Sequence, residues 1–328
     1  MNDLPARLRF LPILSLLLAA LSLRAQDRTP VFHATSELVL VDVQVLHKRN
    51  GSPAPALQAS DFRVSEEGVP QQILHFWRGE FPLSVVLLFD LTDSSQAVLK
   101  RLAAGAETAL AHFKPADEVA VMVYSSHAGL LDGFTTDRAR TASAIESTAA
   151  MTSEEPAHFN EAVFQAAMQL RQASSEANRR VIIWLTDNLP NTPYRKEYPA
   201  HTEIEAFRAL HEEGVVVAPI LLKSALWAVL GPIVRAAESS HEKAFPPGDA
   251  RQYAELTGGQ AVGLRGKQPE ERLAQLIDEL RALYTIAYRP SDPQPAGTFR
   301  RVHVELSPTA GLRPKEWKVL ARQGYYCK

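Results

Sequence analysis

Residues 84–94 read SVVLLFDLTDS: an unbroken apolar run, Val85 to Phe89, closes on Asp90 and is followed by Leu91, Thr92, Asp93 and Ser94. A strand that faces water on one side alternates apolar and polar residues. A continuous run is covered on both faces, as in a parallel sheet held between helices. Three further stretches repeat the pattern: 118–125 (EVAVMVYS), 181–187 (VIIWLTD) and 215–222 (VVVAPILL). Between them the apolar residues recur at helical spacing. Residues 97–113 place Leu99, Leu102, Ala106 and Leu110 on one face, and 159–173 do the same with Phe159, Val163, Ala166, Ala167 and Leu170. Residues 137–149, 204–213, 225–238, 249–256 and 270–283 also read as helices. Gly214 stops one and Gly258-Gly259 another. Trp227 and Leu230 are expected to pack on their own domain. Strands alternating with helices predict an α/β domain with a doubly wound, mostly parallel sheet over residues 80–282. Such sheets bind ligands at the carboxyl ends of their strands, where Asp90 and Asp187 fall.

The flanks have a different character. Residues 37–47 alternate and are rich in Val, Asn50-Gly51 is a strong hairpin signal, and 62–65 and 71–77 read as strands around a turn at 66–68. The chain becomes β again over 284–288, 300–306 and 317–321, with a Pro-rich loop at 289–299. Each flank is too small to bury much surface alone. The economical inference is that 33–79 and 283–328 pair into one small β-sandwich with the α/β domain inserted between them.

The first 25 residues stand apart. Arg7 and Arg9 precede an apolar run over 11–23, broken only by Pro12, Ser15 and Ser22, and small residues follow. This is the pattern of a secretory signal peptide cleaved after Ser22 or Ala25, and it predicts a periplasmic or secreted protein. The alternative is an uncleaved anchor, against which stands a run short of the ~20 residues that span a bilayer. No later segment is apolar enough to cross a membrane. The lone Cys327 excludes an intrachain disulfide. A formal net charge of −2 offers no basic excess for a polyphosphate, so nucleic acid is not an expected partner.

The chemistry concentrates after the first buried strand, in the spacing D-x-T-x-S. Alternate side chains of such a segment can converge, bringing Asp90, Thr92 and Ser94 to one point. Carboxylate and hydroxyl oxygens suit a hard cation, Mg²⁺ or Mn²⁺. Asp187, at the end of another parallel strand, is placed to join them directly or through a water. Asp93 is expected to be solvated, as are Glu154 and Glu155. An apolar strand followed by D-x-S-x-S, with a later strand ending in Thr-Asp, resembles the metal-ion-dependent adhesion site of von Willebrand factor type A (vWA) domains, which have a Rossmann-like fold. The resemblance covers about residues 80–265. The flanks resemble a narrower group, the vWA-related exported proteins of Acidobacteria, through VDVQVLHKRNG near the start, TGGQAV at 257–262, YTIAYRP at 284–290 and GYY at 324–326.

The resemblance implies a metal held by Asp90, Thr92, Ser94 and Asp187, whose open position accepts an acidic side chain of a partner protein. Thr92 takes the place of the pattern's first Ser and keeps its hydroxyl, and one further departure matters. Ala157 stands where the family's third loop carries a Thr, and Ala has no oxygen to give. Thr152, Ser153 or a water is the expected substitute, and His158 is expected at the surface. A metal-independent scaffold using the same surface is the alternative. An enzyme is not expected: the sequence holds no G-x-S-x-G, H-E-x-x-H, Walker or G-x-G-x-x-G motif. An unrecognised hydrolase is the remaining, weaker reading.

Overall fold

The computed structural model describes residues 38–79, 81–155, 157–175, 177–188, 201–222, 249–264, 266–313 and 315–328. The leader and the helix expected over 225–238 lie outside the described residues. Strands β1 (Val39–His47), β2 (Phe62–Glu66), β3 (Val69–Gln71) and β4 (Ile73–Arg78) come first. Asn50-Gly51 does form a turn, with Gly51 N–H donating to the His47 carbonyl at 2.8 Å. It closes only a single bridge, Leu46 to Pro53, and β2 then joins a different sheet. The tight hairpin is instead β2–β3, through Glu67 and Gly68, both at positive φ. Two such residues give the turn whose twist matches that of the strands.

The central sheet follows from the buried runs. It contains β5 (Leu83–Asp90), β6 (Glu118–Tyr124), β7 (Ala128–Thr135), β8 (Arg179–Thr186), β9 (Val216–Leu221) and β10 (Val262–Gly263), in the order β10-β9-β8-β5-β6-β7. All neighbours are parallel except β7, which runs antiparallel to β6 at the edge through two irregularities in register. Helices α1 (Asp93–Ala104), α2 (Ala106–Leu110), α3 (Arg138–Thr148), α4 (Phe159–Leu170), α5 (Glu203–Glu213), α6 (Ala250–Thr257) and α7 (Pro269–Arg281) cover it. Because strand side chains alternate in direction, β5 feeds two cores. Val85, Leu87 and Phe89 pack with Leu99, Leu102 and Ile277 on one face. Val86 and Leu88 pack with Phe159, Val163, Trp184 and Tyr253 on the other. The sheet is therefore doubly wound, as the sequence predicts.

The remaining strands are β11 (Tyr284–Tyr288), β12 (Phe299–Leu306), β13 (Trp317–Ala321) and β14 (Gly324–Tyr326). They build two antiparallel four-stranded sheets with the early strands, β13-β1-β11-β4 and β14-β12-β2-β3. Val41, Val43, Phe62, Val64, Ile286, Tyr288, Val302 and Val304 fill the core between them. At its centre Glu66 is buried and accepts hydrogen bonds from Tyr288 at 2.7 Å, Tyr325 at 3.0 Å and Arg300 at 3.0 Å. None of the described helices is long and apolar enough to cross a membrane.

Candidate functional site

Asp90 ends β5 and Asp187 follows β8, its neighbour in the sheet, so the pairing of these two strands brings the carboxylates to one edge. Asp90 is only 1% exposed. Its carboxylate accepts from the Thr92 N–H at 2.9 Å, the Tyr124 hydroxyl at 3.0 Å and the Thr186 hydroxyl at 3.3 Å. Tyr124 in turn accepts the Trp184 indole N–H at 3.0 Å. Burial, and then the charge of Asp187, push the Asp90 carboxyl up to about 6, against the pull of its hydrogen bonds. Burial and the same carboxylate push the Tyr124 phenol upward, so it stays a donor.

The D-x-T-x-S segment is not an extended loop. Thr92 is extended, with φ −62° and ψ 152°, and precedes α1; Ser94 already lies in the first helical turn. That turn swings Ser94 back toward the sheet, where its hydroxyl donates to Asp187 and lies 3.2 Å from the Thr92 hydroxyl. The four residues that the sequence singled out therefore share one chain of contacts: Thr92 to Ser94, Ser94 to Asp187, and Asp187 to Asp90 through charge. Asp93 is exposed, as expected.

The third loop, before α4, lies against the first. Ser153 forms a parallel bridge with Thr92, and its N–H donates to the Leu91 carbonyl at 3.1 Å. The Gln96 amide donates to the Met151 carbonyl. Glu155 is exposed but accepts from the Ser126 hydroxyl. Ala157 packs against the Phe159 and Trp184 core. His158 corrects an expectation: it is buried, 4% exposed, and not a surface residue. Its N–H reaches the Ser125 carbonyl at 2.9 Å, which fixes the start of α4 to the end of β6. Burial, and then His127, lower its imidazole pKa.

Asn188 escaped the reading of the sequence. It holds φ 57°, a left-handed conformation that Asn tolerates better than most residues. Its N–H donates to the Thr186 hydroxyl at 3.0 Å, its amide donates to Asp249 at 3.1 Å, and its amide oxygen accepts the Ala250 N–H at 2.7 Å. The turn after β8 is thus fastened to the start of α6, which fixes the backbone on which Asp187 sits. A Thr-Asp-Asn string after a buried strand was the available signal.

Chemically, the cluster offers two carboxylates and two hydroxyls. Among the described residues no group of three or more His, Cys, Asp or Glu is arranged to hold a metal, so any cation here depends on the hydroxyls. The oxygen set fits a small hard dication, which also relieves the repulsion between Asp90 and Asp187.

Residues 85–189 match the family model of the von Willebrand factor type A domain. The α/β part has the vWA fold. The two antiparallel sheets are additions to it. No curated protein matches the chain. Among solved structures, BatB of Bacteroides thetaiotaomicron aligns over 60% of this chain and 98% of its own, at 17% identity and a TM-score of 0.42. A von Willebrand factor type A protein of Catenulispora acidiphila aligns over 90% of this chain and 74% of its own, at 11% identity and a TM-score of 0.43. Proximal thread matrix protein 1 of the mussel byssus, with zinc in its adhesion motif, aligns over 66% of this chain and 49% of its own, at 14% identity and a TM-score of 0.44.

Proposed function

We propose that the protein is an exported binding protein whose vWA domain holds Mg²⁺ or Mn²⁺ between Asp90, Thr92, Ser94 and Asp187 and uses it to dock an acidic side chain of another protein. The observation that carries this reading is the convergence of Asp90, Ser94 and Asp187 at the carboxyl ends of two adjacent parallel strands. Asp90 anchors the cation from the strand end, Thr92 and Ser94 add neutral oxygens, and Asp187 joins directly or through water. A partly coordinated dication at a sheet edge attracts a carboxylate, and exclusion of water strengthens that attraction. Export is inferred from the leader over 1–25, and the likeness of the flanks to vWA-related exported proteins of Acidobacteria supports it. The boundaries proposed for the chain are a sandwich from 33–79 and 283–328 around a vWA domain over 80–282.

A second reading, a metal-independent interaction scaffold, is favoured by one observation: the side chain of Ala157 brings no oxygen to the third loop. Calorimetric titration of the chain from Gln26 onward with Mg²⁺ and Mn²⁺, beside Asp90→Ala, separates the two. Saturable binding that disappears in the variant is the expected result. Absence of binding in both proteins would establish the scaffold reading instead.

A further inference from the structure

We propose that Ser153 supplies the oxygen that Ala157 cannot, making its hydroxyl a ligand of the same cation as Asp90, Thr92 and Ser94; this rests on the reading that the site takes a divalent cation. Three observations converge on Ser153. First, it is the bridge partner of Thr92. Residues paired across neighbouring extended segments send their side chains to the same side, so the Ser153 hydroxyl emerges beside that of Thr92, itself 3.2 Å from the Ser94 hydroxyl. Thr152, one residue earlier, alternates to the opposite side and is exposed.

Second, the position of the loop is fixed by backbone and side-chain bonds independent of any cation. The Ser153 N–H donates to the Leu91 carbonyl at 3.1 Å, Gln96 holds the Met151 carbonyl, and the His158 N–H holds the Ser125 carbonyl at 2.9 Å. Third, the Ser153 oxygen accepts the Glu155 N–H at 3.2 Å. This bond sets the hydroxyl's rotamer, and a hydroxyl oxygen retains a second lone pair for a cation. The methyl of Ala157, by contrast, is committed to the apolar core. The loop thus presents its oxygen four residues earlier than the adhesion-site pattern does, from a bridge rather than from the helix start.

The test is Mn²⁺ and Mg²⁺ titration of the wild-type chain, Ser153→Ala and Ser153→Thr. Retained fold is checked by the metal-free melting temperature. Loss of one neutral ligand is expected to weaken binding by ~10-fold. Ser153→Thr keeps its hydroxyl and its affinity. Relaxation of solvent protons by bound Mn²⁺ reads the coordination directly: Ser153→Ala gains a coordinated water. Wild-type affinity and water count in Ser153→Ala would overturn the role of Ser153 while leaving the occupied site standing. A wild-type chain that takes up neither metal would remove the occupied-site reading and the role of Ser153 with it.

Discussion

Asp90 holds a carboxylate in a setting hostile to charge: it is 1% exposed, and a second carboxylate, Asp187, faces it. Without a cation this geometry destabilises the fold. Asp90→Asn removes the charge and leaves an oxygen for the Thr92 N–H. A carboxyl displaced from 3.8 to about 6 implies a cost of order ~1–3 kcal/mol at neutral pH, at 1.36 kcal/mol per unit. The metal-free Asn variant is therefore expected to melt ~2–8 °C above the wild type, while losing divalent-cation binding. A lower metal-free melting temperature would mean that the Tyr124 and Thr186 hydrogen bonds outweigh the repulsion. The meeting of Asp90, Thr92, Ser94 and Asp187 at one sheet edge was legible in the sequence because each follows a buried run by a fixed number of residues. Tyr124, Trp184 and Asn188 were not, because their roles exist only across strands or between a turn and α6. His158 was misread for the same reason: a His in a polar stretch reads as solvated until β6 and α4 close over it.

The helices and strands show where a local pattern yields to its neighbours. Residues 97–113 have a single helical period, but the helix breaks at Gly105 into α1 and α2, where a Cβ would lie 2.5 Å from the Glu270 side chain of α7. β7 carries Gly129 and Gly133 and no clear alternation, so nothing marked it as a strand until β6 offered it an edge. The stretch 71–77 reads as one strand but is divided, β3 in one sheet and β4 in the other. Helix α5 ends in a test of packing between elements. His211, in its last turn, is buried against Phe299 at 5.4 Å and hydrogen-bonds the backbone of Gly324. Burial, and then Arg322, lower its pKa from 6.5 to about 4. The unfolded chain then binds more protons than the native one between these values, so stability rises with pH across that window. The contribution is complete above pH 6.5 and is lost as pH falls toward about 4, by up to ~3 kcal/mol. His211→Gln is expected to flatten this part of the stability profile, measured by urea unfolding at several pH values. An unchanged slope would place the titration on another group.

At the scale of the whole molecule, the two ends of the chain are interdigitated and not merely adjacent. β11 lies between β1 and β4, and β12 between β14 and β2, so each antiparallel sheet is built from both flanks. The sheets are also bound to the α/β part. Arg179, at the start of β8 and with its side chain 2% exposed, donates to the Leu280 carbonyl and the Thr285 hydroxyl, each at 2.9 Å, and pairs with Asp42 at 3.2 Å. The Gln323 N–H reaches the Leu256 carbonyl at 3.0 Å at the end of α6. These links argue that the described chain from Leu38 onward unfolds as one unit. Removing residues 284–328 leaves β1 and β4 without the strand between them, strips the buried Glu66 of Arg300, Tyr288 and Tyr325, and uncovers Val41, Val43, Phe62 and Val64. Leaving a buried charge without its partner costs ~3–5 kcal/mol, and the exposed apolar face adds to it. The truncated chain is expected to bind a hydrophobic dye and to lose the single cooperative transition of the intact protein, even though the vWA sheet is intact in sequence. A truncated chain with native-like near-ultraviolet dichroism and a sharp melt would show instead that the α/β part stands alone and that the paired flanks are an accessory to it.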